Sequence, residues 1–344
     1  MTSTVRKTLV QAAGIVISLV FLVFLFYKVD FSELAGALKG ANYWWLIPNV
    51  ILIMVTMVFR AYRWRHMVSP IKDIALPRLF SITMIGFMAN NVLPFRLGEF
   101  VRAYSLANKE KVSKSASLAT IFVERTVFDL LALLIIFGVV LMISPLVVFK
   151  ELKTGAIMTV GTGLVGLAFA VYLSTRRQRD SHILKLIISI FPRKVRPSVE
   201  STVAKFATGL EFMQDGRRVF WVTFHTFAIW VIMGVSNYFI LWAFGWYDLP
   251  LAASFVILVV VSILIMVPAS PGFIGVYHYG TVLSLGFYGI PKEAALSCAL
   301  VMHATQFLVI TLVGFYYLRR EHLSLQEIEK GTEDQNQEPA KPAQ

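Results

Sequence analysis

Six uninterrupted apolar stretches dominate this sequence, at 9–27, 43–59, 116–143, 155–173, 219–243 and 294–318. Each is close to or above the roughly 20 residues that a helix needs to cross a bilayer. Only 15% of the chain is charged and 57% is hydrophobic, whereas a soluble domain carries about 25% charged residues. A soluble globular fold is therefore excluded. The pattern predicts an all-α polytopic membrane protein with six to eight transmembrane helices.

Two further apolar regions differ in kind: 76–104 is interrupted by NNVLPFRLGEF, and 250–289 by VPASPGFIGVY. Proline and glycine break a membrane helix only where the freed backbone groups meet protein or water. Both regions are predicted to be broken, re-entrant helical hairpins. Arg60, Arg63, Arg65, Lys72 and Arg78 precede the first region, and Arg102, Lys109, Lys111 and Lys114 close or follow it. The positive-inside bias therefore puts both its ends in the cytoplasm. Sparse charge at 244–249 and the neutral Lys292-Glu293 pair put both ends of the second region outside. Its arms are also long enough for two complete crossings, and parity does not separate the cases. Pro94-Phe-Arg-Leu-Gly98 and Pro271-Gly-Phe-Ile-Gly275 share Pro-x-x-(Leu or Ile)-Gly. Entered from opposite sides, they form an inverted pair of the kind that places a transporter site near mid-membrane.

The remaining segments complete the organisation. Residues 1–320 form the membrane domain, and 9–27 reads as a retained helix because no small-residue cleavage site follows it. The connection 176–218 has ten Lys or Arg against four Asp or Glu, so it is cytoplasmic. Within it, Val199, Val203, Phe206, Leu210 and Met213 mark an amphipathic helix on the membrane interface or over the bundle. Residues 321–344 are predicted to be a disordered cytoplasmic tail. Both termini thus face the cytoplasm, as expected of a multi-pass protein of the inner (cytoplasmic) membrane.

The net charge of +12 lies in the connections between apolar runs, so it points to the positive-inside rule rather than to nucleic acid. Cys298 is the single cysteine, which leaves no disulfide or thiolate metal cluster. Neither a phosphate-binding nucleotide loop, a GxSxG elbow nor an HExxH zinc motif occurs, so no cofactor, no metal and no self-contained ATP-driven pump are expected.

Charged residues inside apolar segments cost a few kcal/mol each unless paired, hydrated or facing a ligand. Asn90, Asn91, Arg96, Glu99 and Arg102 cluster at the first interruption. Arg96 and Arg102 are placed to clamp an anionic headgroup, with Glu99 holding Arg102 at i,i+3; a structural Arg/Glu network is the alternative. In ATIFVERTVFDLLAL, Arg125 and Asp129 are four apart and can pair, while Glu124 points elsewhere and has Arg96 or Arg102 as partner. Arg60 and Arg63 share a face at the cytoplasmic end of a helix, with Trp64 as a headgroup-level anchor. They either obey the positive-inside rule or collect phosphate. At the second interruption, Gly272 and Gly275 permit close backbone approach and leave unpaired amides for an anion, and Tyr277 and His278 follow. His225, Asn237, His303 and Gln306 either line a hydrated path or make interhelical hydrogen bonds.

RAYRW, NNVLPFRLGEFVRAY, FVERTVFDLLAL and PASPGFIGVYH, in that order, resemble the lysylphosphatidylglycerol synthetase transmembrane-region family, also described as flippase-like or as uncharacterised family 0104. The resemblance spans roughly residues 9–320. It implies a membrane protein linked to translocation of lipids or lipid-linked sugars. The family's Asn-x-x-Leu-Pro-x-Arg-x-Gly-Glu falls on Asn90, Leu93, Pro94, Arg96, Gly98 and Glu99, and its Glu-Arg and Asp on Glu124, Arg125 and Asp129. Its Gly-x-x-Glu has Gly275, but His278 stands where a carboxylate is common. The 24 residues after 320 are too few for the aminoacyl-transfer domain of the fused enzymes, so an enzyme is not expected. The expected function is flipping of an anionic phospholipid or polyprenyl-phosphate-linked lipid; the rival is a non-transporting scaffold for a lipid or envelope enzyme. Expected partners are lipids with phosphate headgroups, a membrane enzyme, or a second copy of the chain.

Overall fold

A computed structural model describes residues 20–23, 25–93, 97–143, 161–162, 165, 196–266 and 271–321. Every regular element among them is helical, as the apolar runs require. Helix α1 (Phe31–Gly40) starts on Asp30, whose carboxylate accepts from the amides of Ser32 and Glu33 at 2.7 and 3.2 Å. A 3-10 turn (Tyr43–Trp45) leads into α2 (Leu46–Val68), followed by α3 (Leu76–Val92), α4 (Gly98–Glu110) and α5 (Lys114–Val123). A six-residue π-helical segment (Glu124–Asp129) joins α5 to α6 (Leu130–Ile143). Helix α7 (Arg196–Thr208) and the turn Glu211–Gln214 precede α8 (Gly216–Ala243). Then come α9 (Leu251–Leu264), the 3-10 turn Pro271–Phe273, α10 (Val276–Gly286) and α11 (Lys292–Arg320).

Among the described residues, three segments are long and apolar enough to cross a membrane: Tyr43–Val68, Gly216–Ala243 and Lys292–Arg320. Helices α3, α4, α9 and α10 have 17, 13, 14 and 11 residues. At about 1.5 Å per residue they reach roughly 16–26 Å, short of the roughly 30 Å hydrocarbon layer. In the second broken region α9 and α10 are thus each shorter than an upright crossing. Helix α3 packs on α4 and α9 on α10, while the 271–273 turn packs on α3. The tips of the two interruptions thus meet: the α-carbon of Gly272 faces the carbonyl of Asn91 and the ring of Phe307 on α11.

Several expectations are corrected. Helix α2 does not end at 59. It continues to Val68, and Arg60, Arg63 and Trp64 are buried in the bundle (5%, 0% and 0% exposed) rather than at a headgroup-level helix end. Trp64 is accordingly no headgroup anchor. Helix α1 was not anticipated, although Asp30 and Glu33 carry its start signal. The amphipathic stretch is a helix only to Thr208, beyond which Leu210 and Phe212 turn into the core. Glu321 does not belong to a loose tail: Arg78 and Ser81 bind its carboxylate, and Lys109 donates to its carbonyl at 2.6 Å. Most of 9–27 and 155–173, and all of 322–344, lie outside the described residues.

The closest helix contact in the first hairpin depends on glycine. A Cβ on Gly98 would fall on the carbonyl of Gly86 and on the Asn90 amide group. Gly98→Ala is expected to destabilise the protein by about 1–3 kcal/mol through overpacking, seen as a lower melting temperature in detergent. Gly138→Ala, where an added Cβ meets nothing within 4 Å, is expected to leave it unchanged or slightly higher.

Candidate functional site

The first broken region, the π segment and α2 bring seven charged side chains together. Five residues apart, Glu124 and Asp129 would sit about 140° apart on an α-helix. The i→i+5 bonding of the π segment brings them to one side, and Arg63 then reaches both. Its Nη2 lies 2.9 Å from Glu124 Oε1 and its Nη1 2.6 Å from Asp129 Oδ1, with Thr226 Oγ1 accepting at 3.0 Å. Arg102 grips Glu124 with both Nη atoms at 3.1 and 3.2 Å. Its guanidinium lies 4.3 Å from the Trp64 ring centroid, and Trp64 Nε1 donates to Thr120 Oγ1 at 3.0 Å. Arg63, Arg102 and Glu124 are at most 1% exposed.

Arg125 pairs with Asp129 (3.1 Å), as its spacing predicts, and also with Glu99 (3.2 Å). Glu99 therefore does not hold Arg102. It sits on the first turn of α4 and faces the π segment, whereas Arg102 turns inward onto Trp64 and Glu124. Asn90 closes the hairpin, accepting from the Gly98 amide at 2.7 Å and donating to Glu99 at 3.3 Å. Asn91 donates to Thr311 Oγ1 at 3.0 Å, fastening the hairpin to α11.

Arg60 is the exception. Among the described residues no carboxylate lies within ion-pair distance of it; its Nη2 meets Met233 Sδ at 3.2 Å, its guanidinium lies 4.8 Å from the Phe87 centroid, and Nε and Nη1 have no partner. Arg60, Arg63, Arg102 and Arg125 stand against Glu99, Glu124 and Asp129, so the cluster carries one more positive than negative charge, and Arg60 is the member without an ion pair among the described residues.

Arg60 also faces two spaces. The larger, about 600 Å³, is lined by Arg60, Asn90, Asn91, Glu99, Arg125 and Asp129 on its polar side. Phe100, Phe122 and Met266 form an apolar rim, 39%, 50% and 59% exposed. Tyr277, His303 and Gln306 from the second broken region and α11 complete the wall. The smaller space, about 50 Å³, lies against Asn49, Thr56, Ser236, Asn237 and Gln306.

Of the predicted site residues, Arg60, Asn90, Asn91, Glu99, Arg125, Asp129 and Tyr277 line the large cavity. Arg63, Arg102 and Glu124 stand behind its wall. Arg96 and Pro94 lie outside the described residues. The Gly275 amide is not unpaired, since it donates to His278 Nδ1 at 3.3 Å. His225 sits among Trp221, Phe224 and His66 rather than on the cavity. Thr226, Thr120 and the Met233 sulfur were missed, because nothing in a single sequence says which arginine an uncharged helix residue will meet.

The description "lysylphosphatidylglycerol synthase TM region" matches residues 11–314. The chain belongs to that family. It is 24% identical over 315 residues to a UPF0104 membrane protein of Methanothermobacter thermautotrophicus, covering 87% of this chain and 92% of the relative. It is 26% identical over 247 residues to a UPF0104 membrane protein of Methanocaldococcus jannaschii, covering 70% and 98%. Glycosyltransferase AglD of Haloferax volcanii is 25% identical over 342 residues, which spans 90% of this chain and 54% of AglD. The chain is thus a multi-pass membrane protein of the family expected from its motifs.

The pairing network ranks its members. Among the described residues Glu124 is the sole carboxylate on buried Arg102, so Glu124→Gln is expected to cost about 3–5 kcal/mol. Arg125→Ala should cost much less than a dry, single-partner pair would imply, because Asp129 keeps Arg63 and the Arg125 side chain is 28% exposed. Thermal melts and folded yield of Glu124→Gln, Arg125→Ala and Arg125→Lys check this order; an Arg125→Ala variant less stable than Glu124→Gln contradicts it.

Proposed function

We propose that this chain translocates a lipid with an anionic phosphate headgroup, an anionic phospholipid or a polyprenyl-phosphate-linked lipid, across the cytoplasmic membrane. The observation that carries the reading is Arg60: a guanidinium removed from bulk water, without a carboxylate, facing a cavity large enough for a headgroup. An unpaired buried charge is costly, and an anion entering the cavity offsets that cost with charge-assisted hydrogen bonds. Arg125 stands on the same wall, and the exposed apolar rim of Phe100, Phe122 and Met266 suits acyl or prenyl chains that stay in lipid. The short paired arms of the two broken regions fit re-entrant hairpins meeting at mid-membrane, with both termini cytoplasmic. Family membership and the likeness to a protein named as a glycosyltransferase support a substrate among membrane lipids or lipid-linked glycans. In this reading the chain is a carrier rather than an enzyme, working alone, with a second copy, or beside a membrane enzyme that makes or uses the lipid.

Arg60→Met separates this reading from a purely structural or scaffolding role. Methionine removes the uncompensated charge while keeping much of the stem, so the variant is expected to be as stable as the parent or more so. Initial translocation of an anionic lipid in proteoliposomes should fall roughly ten- to hundred-fold, the worth of one charge-assisted hydrogen bond in the rate-limiting state. A zwitterionic lipid should lose less. Unchanged anionic transport, or equal loss for both lipids with lowered stability, removes Arg60 from the path.

A further inference from the structure

The tip of the second broken region is tied to α11 by a hydrogen-bond chain whose direction is fully determined. The Gly275 amide donates to His278 Nδ1 at 3.3 Å, so that nitrogen is bare. The Gly272 carbonyl can only accept, so His303 Nε2, 2.7 Å away, carries a hydrogen. His278 Nε2 and His303 Nδ1 are 3.2 Å apart; the first must then donate and the second accept. Each neutral ring has one hydrogen, and the whole chain is satisfied with none to spare.

The turn so held has an unusual backbone. Gly272, Phe273 and Gly275 have φ of 70°, 58° and 88°, a region that Phe adopts only when its surroundings enforce it. His278 is buried (6% exposed), and His303 is half-buried and lines the large cavity. Tyr277 stacks on His303 with centroids 4.7 Å apart, and Phe307 meets its edge. From the other packed elements, Val261 and Leu264 of α9 and Asn91 of α3 approach the turn and α10; Tyr277 and, beside it, Cys298 of α11 are titratable neighbours, and Arg60, Glu99, Arg125 and Asp129 share the cavity that His303 lines. No Asp, Glu, Lys or Arg among the described residues is within ion-pair distance of either ring.

We propose that His278 and His303 form a single proton-binding site that latches the 272–275 turn to α11, and that one added proton opens the latch. A second hydrogen on His303 at Nδ1 faces the hydrogen on His278 Nε2. Moving that hydrogen around His278 to Nδ1 restores the His–His bond but turns an N–H against the Gly275 amide. Either way one donor meets another, and the bond that can be given up is the one to Gly275. The proton therefore frees the amide at the start of α10 and puts a positive charge on the cavity wall, where the Tyr277 ring face receives it. The ligand is the proton itself, and the inference stands whether or not the cavity carries lipid.

The test uses the full chain in nanodiscs of neutral lipid, without a transport assay. Hydrogen–deuterium exchange of residues 272–278 is measured at pH 7.5 and 4 and corrected for intrinsic rates. Protection is expected to drop roughly ten-fold at the lower pH, the worth of one hydrogen bond. In the His278→Gln/His303→Gln double variant, which keeps an amide at each position and has no ring left to titrate, protection should be equal at both pH values. Equal protection of the parent at both pH values overturns the proposal, as does a pH-dependent drop that persists in the folded double variant. If that variant does not fold, imidazole 15N spectra of the parent decide, the two rings being identified by the N–H···N coupling between them. Both rings should be neutral with hydrogen on Nε2 at pH 7.5 and yield an imidazolium on titration to pH 4; rings still neutral at pH 4 overturn it. Failure here leaves the lipid reading intact, and failure of Arg60→Met leaves the latch intact.

Discussion

Charge inside an apolar bundle must be answered by opposite charge, by water or by a ligand, and the whole first half of this fold is arranged around that requirement. Three carboxylates and three arginines from α2, α4 and the α5–α6 helix meet within one network, with Arg60 beside it. Glu124 and Asp129 can both face Arg63 only because the helix carrying them widens into a π segment there. The widening in turn sets where α5 ends, where α6 begins and how α4 lies against them. A glycine contact between α3 and α4 lets Arg102 pass behind the hairpin onto Trp64 and Glu124. The hairpin is thus held by an ion-pair network at one side and by Asn90 at its tip.

The second broken region meets the first without charge. Asn91 and Thr311 fasten one tip to α11, and His303 fastens the other to the same helix through the Gly272 carbonyl. Helix α11 is therefore the common spine of both interruptions. The cavity lies between them, so it has a charged wall on the α2–α5 side and an amide, phenol and imidazole wall on the α10–α11 side. A headgroup between these walls would meet fixed positive charge on one side and a hydrogen-bonding surface of adjustable protonation on the other.

Much of this was legible before any coordinates. Apolar runs fixed by bilayer length gave most of the helices, and Pro and Gly marked both breaks, because those signals are local. The i,i+4 pair of Arg125 and Asp129 and the reach of Arg102 to Glu124 followed from helical spacing and from a short list of available partners. What failed was what depends on tertiary packing. Assigning Glu99 to Arg102 assumed that two residues one turn apart on α4 pair with each other, yet one faces the cavity and the other the core. Arg60, Arg63 and Trp64 were read as the end of a helix because arginine is rare inside lipid. The three carboxylates that make burial tolerable are 36 to 69 residues further along the chain. The π segment has no single-sequence signature, since it records a compromise between α5–α6 packing and the demands of Arg63. The directed histidine chain required knowing that Gly272 and Gly275 face those two rings.

The network also divides its arginines by how completely they are answered. Arg63 and Arg102 each hold two-atom contacts with carboxylates at 1% exposure or less, although the Nε of each has no partner, and their buried, paired charge keeps the wall rigid. Arg125 is paired but partly exposed to the cavity, so it can share its charge without leaving its partners. Arg60 has neither carboxylate nor full hydrogen bonding, and only a thioether and an aromatic face soften its isolation. The small space on its far side is lined by Asn49, Ser236, Asn237 and Gln306. At about 50 Å³ it suits a few waters rather than a sugar, since one water needs roughly 10–15 Å³ of such space. A polar recess that can hydrate but not neutralise a guanidinium leaves its charge available to the larger cavity. Supplying Arg60 with a permanent carboxylate would stabilise the bundle and remove its attraction for a passing anion. In the proposed reading, the missing fourth carboxylate is what makes this cluster a site rather than a strut.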